Sequence, residues 1–144
     1  MPYQKVLIAV DSSEHSMRVA EHGVNLSSQL GASIAVVYVI DTAKVNNEGK
    51  SGRLPQEQIA KLKIEADKII DSIAKQINVN EFERFLPEGK PSKGIVSIAS
   101  DWEADLIIMG TRGKTGIKRL LLGSTAENTI RLSNTPILIV PSKS

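Results

Sequence analysis

Four short runs of this chain are apolar at every position: Val6–Val10, Ile34–Ile40, Leu106–Met109 and Ile137–Val140. A strand with one face in water alternates apolar and polar residues. A run with no polar residue must be covered on both faces, which is the environment of a parallel sheet enclosed by helices. Phe82–Leu86, with alternating character, is a weaker fifth strand.

The segments between these runs carry the helical period that such an enclosure needs. Over 13–30, Glu14, His15, Arg18, Glu21, His22, Asn25 and Gln29 share one arc, and Met17, Val19, Ala20, Val24, Leu26 and Leu30 occupy the opposite one. Ser12 or Ser13 is expected to cap this helix and Gly31 to end it in the left-handed conformation. His15 and His22 fall on the polar arc and are read as solvent-exposed. A second helix over 56–77 places Ile59, Leu62, Ala66, Ile69, Ile70, Ile73 and Ile77 at three-four spacing behind Pro55, a residue tolerated in a first turn. A third, over 92–102, carries Ile95, Ile98, Ala99 and Trp102 on one side, with Trp102 packing at its end. A fourth spans 125–132 and is broken by Asn134-Thr135-Pro136. The stretch 41–54 holds Asn46, Asn47, Gly49 and Gly52 with almost no apolar residue, and reads as a long mobile loop within one domain covering 1–144.

The resulting order is β-α-β-α-β-α-β-α-β, an α/β chain with an open parallel five-stranded sheet, helices on both faces and right-handed crossovers. Ligands of such sheets bind beyond the carboxyl ends of the strands, where the winding reverses. Three segments leave those ends with suggestive chemistry: Val10-Asp11-Ser12, Val39-Ile40-Asp41, and the chain from Met109-Gly110 onward. The last has glycines at 110, 113, 116 and 123 and the cations Arg112, Lys114, Lys118 and Arg119. Glycine lets main-chain amides approach a ligand without a Cβ in the way. Gly123-Ser124 opens a helix whose free amides and dipole favour an anion. Together these features suit a polyphosphate. Ser124-Thr125-Ala126-Glu127 also reads as a capping box with Ser124 at the N-cap, a duty it can share with phosphate binding. Neither of the two commonest phosphate cradles is present: Ile108 stands where a Walker A loop needs its first glycine, and Asp11-Ser12-Ser13-Glu14 lacks the glycines of a dinucleotide fingerprint.

Composition closes other routes. With 18 basic and 16 acidic residues the net charge is +2, and aromatics are 3%, so neither a phosphate-tracking surface nor stacking platforms for nucleic acid are evident. The few aromatics also disfavour a sandwiched flavin. No apolar run approaches the ~20 residues of a membrane span, and no signal-peptide core precedes Asp11, so a cytoplasmic protein without membrane insertion is expected. Cysteine is absent. One carboxylate, Asp11, is a poor metal site by itself.

These motifs resemble the universal stress protein family in its ATP-binding branch. The spacing Gly110-x2-Gly113-x9-Gly123-Ser124 is complete. Asp11 follows the first strand, Val39-Ile40-Asp41 ends the second, Asp105-Leu106-Ile107-Ile108-Met109-Gly110 precedes the loop, and Pro136-Ile137-Leu138-Ile139-Val140 forms the last strand. The resemblance spans essentially the whole length; one departure is Ala9, where some members have proline.

The resemblance implies a Rossmann-like fold, similar to the adenine nucleotide alpha hydrolases, with strand order 3-2-1-4-5. It implies ATP as ligand, often with Mg2+ or Mn2+. Asp11 and the backbone near Val39 would hold the adenosine end, and Met109 and Gly110 would lie near base and ribose. Gly113, Gly123, Ser124 and Thr125 would hold phosphates, with Ala9, Val10, Ser12, Ile40 and Arg112 completing the contacts. It further implies a homodimer through the edge strand Pro136–Pro141, and a stress-response regulator acting on an unidentified protein partner. A slow ATPase or phosphotransferase, or an AMP or ADP module, is the alternative. No His, Glu or Asp lies within 111–124 to orient water, which disfavours efficient hydrolysis.

Overall fold

A computed structural model of the chain describes residues 2–47, 55–111 and 122–142. The apolar runs become β1 (Lys5–Ala9), β2 (Ser33–Val37), β4 (Leu106–Gly110) and β5 (Ile137–Val140), and the weaker run becomes β3 (Glu83–Phe85). All pair in parallel in the order β3-β2-β1-β4-β5. Val6 stands opposite both Ile34 and Leu106, and Ile108 opposite both Ile8 and Leu138.

Helices α1 (His15–Leu30), α3 (Pro55–Gln76), α4 (Pro91–Trp102) and α5 (Ser124–Leu132) cover the sheet. Side chains alternate across a strand, so successive residues of β1 feed two cores. Val6 and Ile8 pack with Val19 and Ala20 of α1 and Ile70 of α3, whereas Leu7 packs with Ile95 and Ala99 of α4 and Ala126 of α5. This two-sided burial is what the unbroken apolar runs anticipate. Among the described residues no helix is long and apolar enough to cross a membrane.

Four local readings are corrected. Thr42–Asn47, inside the expected loop, is a short helix, α2. Asp41 Oδ1 accepts from the Ala43 N–H at 3.1 Å, a capping contact, and Val45 is buried. Residues 48–54 of that stretch lie outside the described residues.

The start of α1 has no serine cap. Its N-cap is Glu14, without a side-chain cap bond. Asp11 organises the turn instead: Oδ1 accepts from the Ser13 N–H (2.8 Å) and from Ser16 Oγ (3.0 Å), while Ser16 Oγ accepts from the Asp11 N–H (2.8 Å). Gly31 ends the helix at φ 66°, as expected.

The buried stripe of α1 is Ser16, Val19, Ala20, Gly23 and Ser27, largely small residues; Leu30 is exposed. A Cβ on Gly23 would lie 2.6 Å from Ile8 Cδ1, so this glycine is where helix and sheet approach each other closely.

Finally, α5 begins one residue earlier than the capping box requires. Gly123 is the N-cap, without a side-chain cap bond, and Ser124 is already helical. Its hydroxyl therefore does not serve as the cap.

Candidate functional site

The order of strands reverses direction between β1 and β4, and a cleft of about 1510 Å³ opens beyond the carboxyl ends there. One wall is the β1–α1 turn. Asp11 Oδ1 is engaged in bracing that turn, as described above. Ser12 is exposed at the cleft, beside Tyr38. Burial pushes the Tyr38 phenol above its usual range; the nearby Ser12 hydroxyl opposes the shift, and the Asp11 and Glu65 charges reinforce it. Tyr38 was not singled out by the sequence, because in an all-apolar run it reads as one more core residue.

The floor is the extension of β2. The Tyr38 N–H donates to Phe85 O (2.9 Å) and the Ile40 N–H to Pro87 O (2.7 Å), both toward β3. Strand alternation turns the N–H and C=O of the intervening Val39 the other way, toward the reversal. Gly94 of α4 packs against Val39, where a Cβ would lie 2.7 Å from Cγ2.

The other wall is the end of β4 and the start of α5. Gly123 N–H donates to Thr111 O at 2.6 Å, so the two ends of the intervening segment meet. Beyond Gly123 the first-turn N–H groups of Ser124, Thr125 and Ala126 precede the first intrahelical bond, from the Glu127 N–H to Gly123 O at 3.0 Å. Ser124, Thr125 and Ala126 border the cleft.

Of the sequence-derived site residues, Ala9, Val10, Asp11, Ser12, Val39, Ile40, Met109, Gly110, Gly123, Ser124 and Thr125 all line this one cleft. Arg112 and Gly113 lie outside the described residues, as do Lys114, Lys118 and Arg119.

His15 departs from its expected place. It is half-buried and borders the cleft, and its Nε2 lies 2.9 Å from Val140 O. The ring fills the space beside Gly110: a Cβ there would stand 2.5 Å from His15 Cδ2 and 2.8 Å from Nε2. Residue type placed His15 on the polar arc, but its position near the margin of the Ser16–Val19 stripe turns it inward. His22 is exposed as expected.

Away from the cleft, Asp105 Oδ2 accepts from the Gln4 and Lys5 N–H groups at 2.8 and 2.9 Å, pinning β1 at its amino end. Trp102 closes α4, with its Nε1 donating to Glu83 Oε2 at 2.6 Å and Lys5 Nζ 5.3 Å from its ring centroid.

An open parallel sheet in this order, with a helix amino terminus facing an aspartate-bearing turn across the reversal, defines a Rossmann-like α/β protein. The universal stress protein family model matches residues 2–141, and the chain belongs to that family. It is 37% identical over 141 residues to universal stress protein MJ0531 of Methanocaldococcus jannaschii, covering 96% of this chain and 82% of that one. Its similarity to universal stress protein MJ0577 of the same archaeon is 31% over 156 residues, 98% of this chain and 96% of the other. The solved structure of MJ0577 superposes with a TM-score of 0.85 at 32% identity over 100% of this chain and 99% of that one. An Archaeoglobus fulgidus universal stress protein in complex with dAMP shares the fold at a TM-score of 0.67 and 24% identity, over 99% of this chain and 100% of that one.

Proposed function

We propose that this chain is an ATP-binding regulatory module. The observation that carries the reading is a convergence across the winding reversal. The first-turn amides of α5 stand on one side, and Asp11 with the Val39 main chain on the other. The first is an anion site by its dipole and by N–H groups that have no partner within the helix. The second offers a carboxylate acceptor and a main-chain donor–acceptor pair, the chemistry that hydroxyls and a base edge require. The Gly110-x2-Gly113-x9-Gly123-Ser124 spacing supports the same assignment.

The residues present fit such a ligand: amides for phosphate, an acid for hydroxyl or amino groups, and a cleft large enough for a nucleotide. Among the described residues no three metal-ligating side chains cluster. A divalent ion would therefore be held chiefly by phosphate oxygens, with a carboxylate such as Asp11 as a supplement. When bound it would neutralise phosphate charge. The chain's own part is to orient the phosphates on α5 and the nucleoside on the β1–α1 turn. With no His, Glu or Asp in 111–124 to orient water, the reading is a binder that turns ATP over slowly at most.

Leu138 is exposed on β5, which among the described residues pairs only with β4, so a homodimer through that edge belongs to the same reading.

Calorimetric titration of the purified chain with ATP and magnesium is the test, with AMP, ADP and cAMP as comparison ligands. Micromolar to sub-millimolar ATP binding is expected; no heat at millimolar ATP ends the proposal. Following ADP production in the same mixture separates a binder from an enzyme.

A further inference from the structure

We propose that His15 is a positioning residue that sets the affinity of the cleft for a triphosphate tail. The inference rests on the nucleotide reading above and adds a residue that the glycine spacing does not contain. His15 lies 2.9 Å from a carbonyl through Nε2, so that nitrogen carries the proton and donates to Val140 O. The same carbonyl accepts from the Thr111 N–H at 3.2 Å, and Thr111 O accepts from the Gly123 N–H at 2.6 Å. One continuous set of bonds thus runs from the first residue of α1, through the end of β5, to the N-cap of α5.

The imidazole also leans on Gly110, which locks the ring against the end of β4. A second tie from the same helix, Arg18 Nε to Pro141 O at 3.0 Å, holds the next carbonyl of the chain. The ends of β4 and β5 and the Thr111–Gly123 pair are therefore held in register by α1. The α5 amides that would meet phosphates start from Gly123. Without the His15 donor, Val140 O and Thr111 lose a fixed reference and the amides lose their alignment. The Asp11 and Val39 end of the cleft is built from different bonds, so the effect falls more on the phosphates than on the nucleoside contacts of Asp11 and Val39.

The experiment compares His15→Leu, which keeps bulk without a donor, with His15→Gln, whose amide nitrogen can donate as Nε2 does. ATP and AMP affinities are measured by calorimetry on variants whose circular dichroism matches the parent. The expected result is a roughly three- to tenfold fall in the ATP-to-AMP affinity ratio for His15→Leu, the worth of one hydrogen bond, and recovery of the ratio in His15→Gln. In the parent protein, long-range 15N–1H spectra should show an Nε2-protonated His15 whose signals move more with ATP than with AMP.

An unchanged ratio in His15→Leu, or no recovery in His15→Gln, overturns the proposal while leaving nucleotide binding intact. Should the leucine variant not fold, a parent spectrum showing the other tautomer, or equal shifts with both ligands, overturns it. Failure of the parent to bind either nucleotide overturns the nucleotide reading itself.

Discussion

Replacing Gly110 by alanine tests the packing of the cleft wall at the end of β4 without any ligand. The new Cβ would stand 2.5 Å from His15 Cδ2, 2.8 Å from Nε2 and 3.2 Å from Val19 Cγ2. Carbon contacts are comfortable at about 3.5–4.0 Å, so the ring must retreat by roughly 1 Å. The His15–Val140 bond, now 2.9 Å, does not survive that shift. Overpacking of this kind costs about 1–3 kcal/mol, the lost bond included. Against it stands a gain of about 0.5–1 kcal/mol from replacing a strand glycine. The net expectation is a loss of about 1–2 kcal/mol.

In a His15→Ala background the obstruction is gone and only the Val19 methyl remains, which needs to yield a few tenths of an ångström. There Gly110→Ala should be neutral or slightly stabilising. The double-mutant cycle therefore predicts a coupling of about 1–3 kcal/mol, well above the ~0.5 kcal/mol scatter of independent sites. Urea denaturation of the four proteins, read as midpoint shifts at constant m-value, measures it. Additive effects would show that Gly110 and His15 do not share this space.

Three further substitutions have outcomes set by the same geometry. Gly23→Ala should destabilise by about 1 kcal/mol despite the ~1 kcal/mol helix-propensity gain, because its Cβ would meet fully buried Ile8, which Ile108 backs; a stabilised variant in urea would refute the close approach. Ser124→Ala should change stability by less than about 0.5 kcal/mol, since Gly123 occupies the N-cap; a loss near 1 kcal/mol in the same assay would restore the capping box. Tyr38 has a raised folded-state value, so the stability it contributes is complete below its unfolded value of about 10 and disappears as pH rises through the folded one. Tyr38→Phe should remove the tyrosinate absorbance phase above the usual tyrosine range and blunt the alkaline loss of stability; an unaltered titration would contradict the burial of the phenol.

The fold was legible because a parallel sheet covered on both faces leaves a mark in composition that few other arrangements leave. Ile107 and Ile108 are adjacent, face opposite cores, and are both fully buried. The strand order was not legible in that pattern, since hydrophobic runs do not say which neighbour each strand chooses; it came with the family resemblance. The short helix α2 escaped because a six-residue element with one buried apolar side chain has no period to detect. Its only signal was Asp41 ahead of Thr42, a cap that the glycines and asparagines downstream obscured.

For the site, the sequence was most informative where chemistry is carried by the main chain. Glycine spacing and a helix start can be read without knowing where any side chain points. It was least informative where one side chain has two partners distant in the sequence. His15 lies 95 residues from Gly110 and 125 from Val140, and helical periodicity relates it only to its own helix. The same separation gives Gly110 a second physical cause. In the sequence it belongs to a phosphate spacing, and an absent Cβ reads as room for a ligand. In the fold that room is taken by imidazole. A glycine required by a neighbouring ring constrains this chain as firmly as one required by a nucleotide. Ligand titration of Gly110 variants therefore becomes interpretable only once the stability cycle with His15 has separated the two.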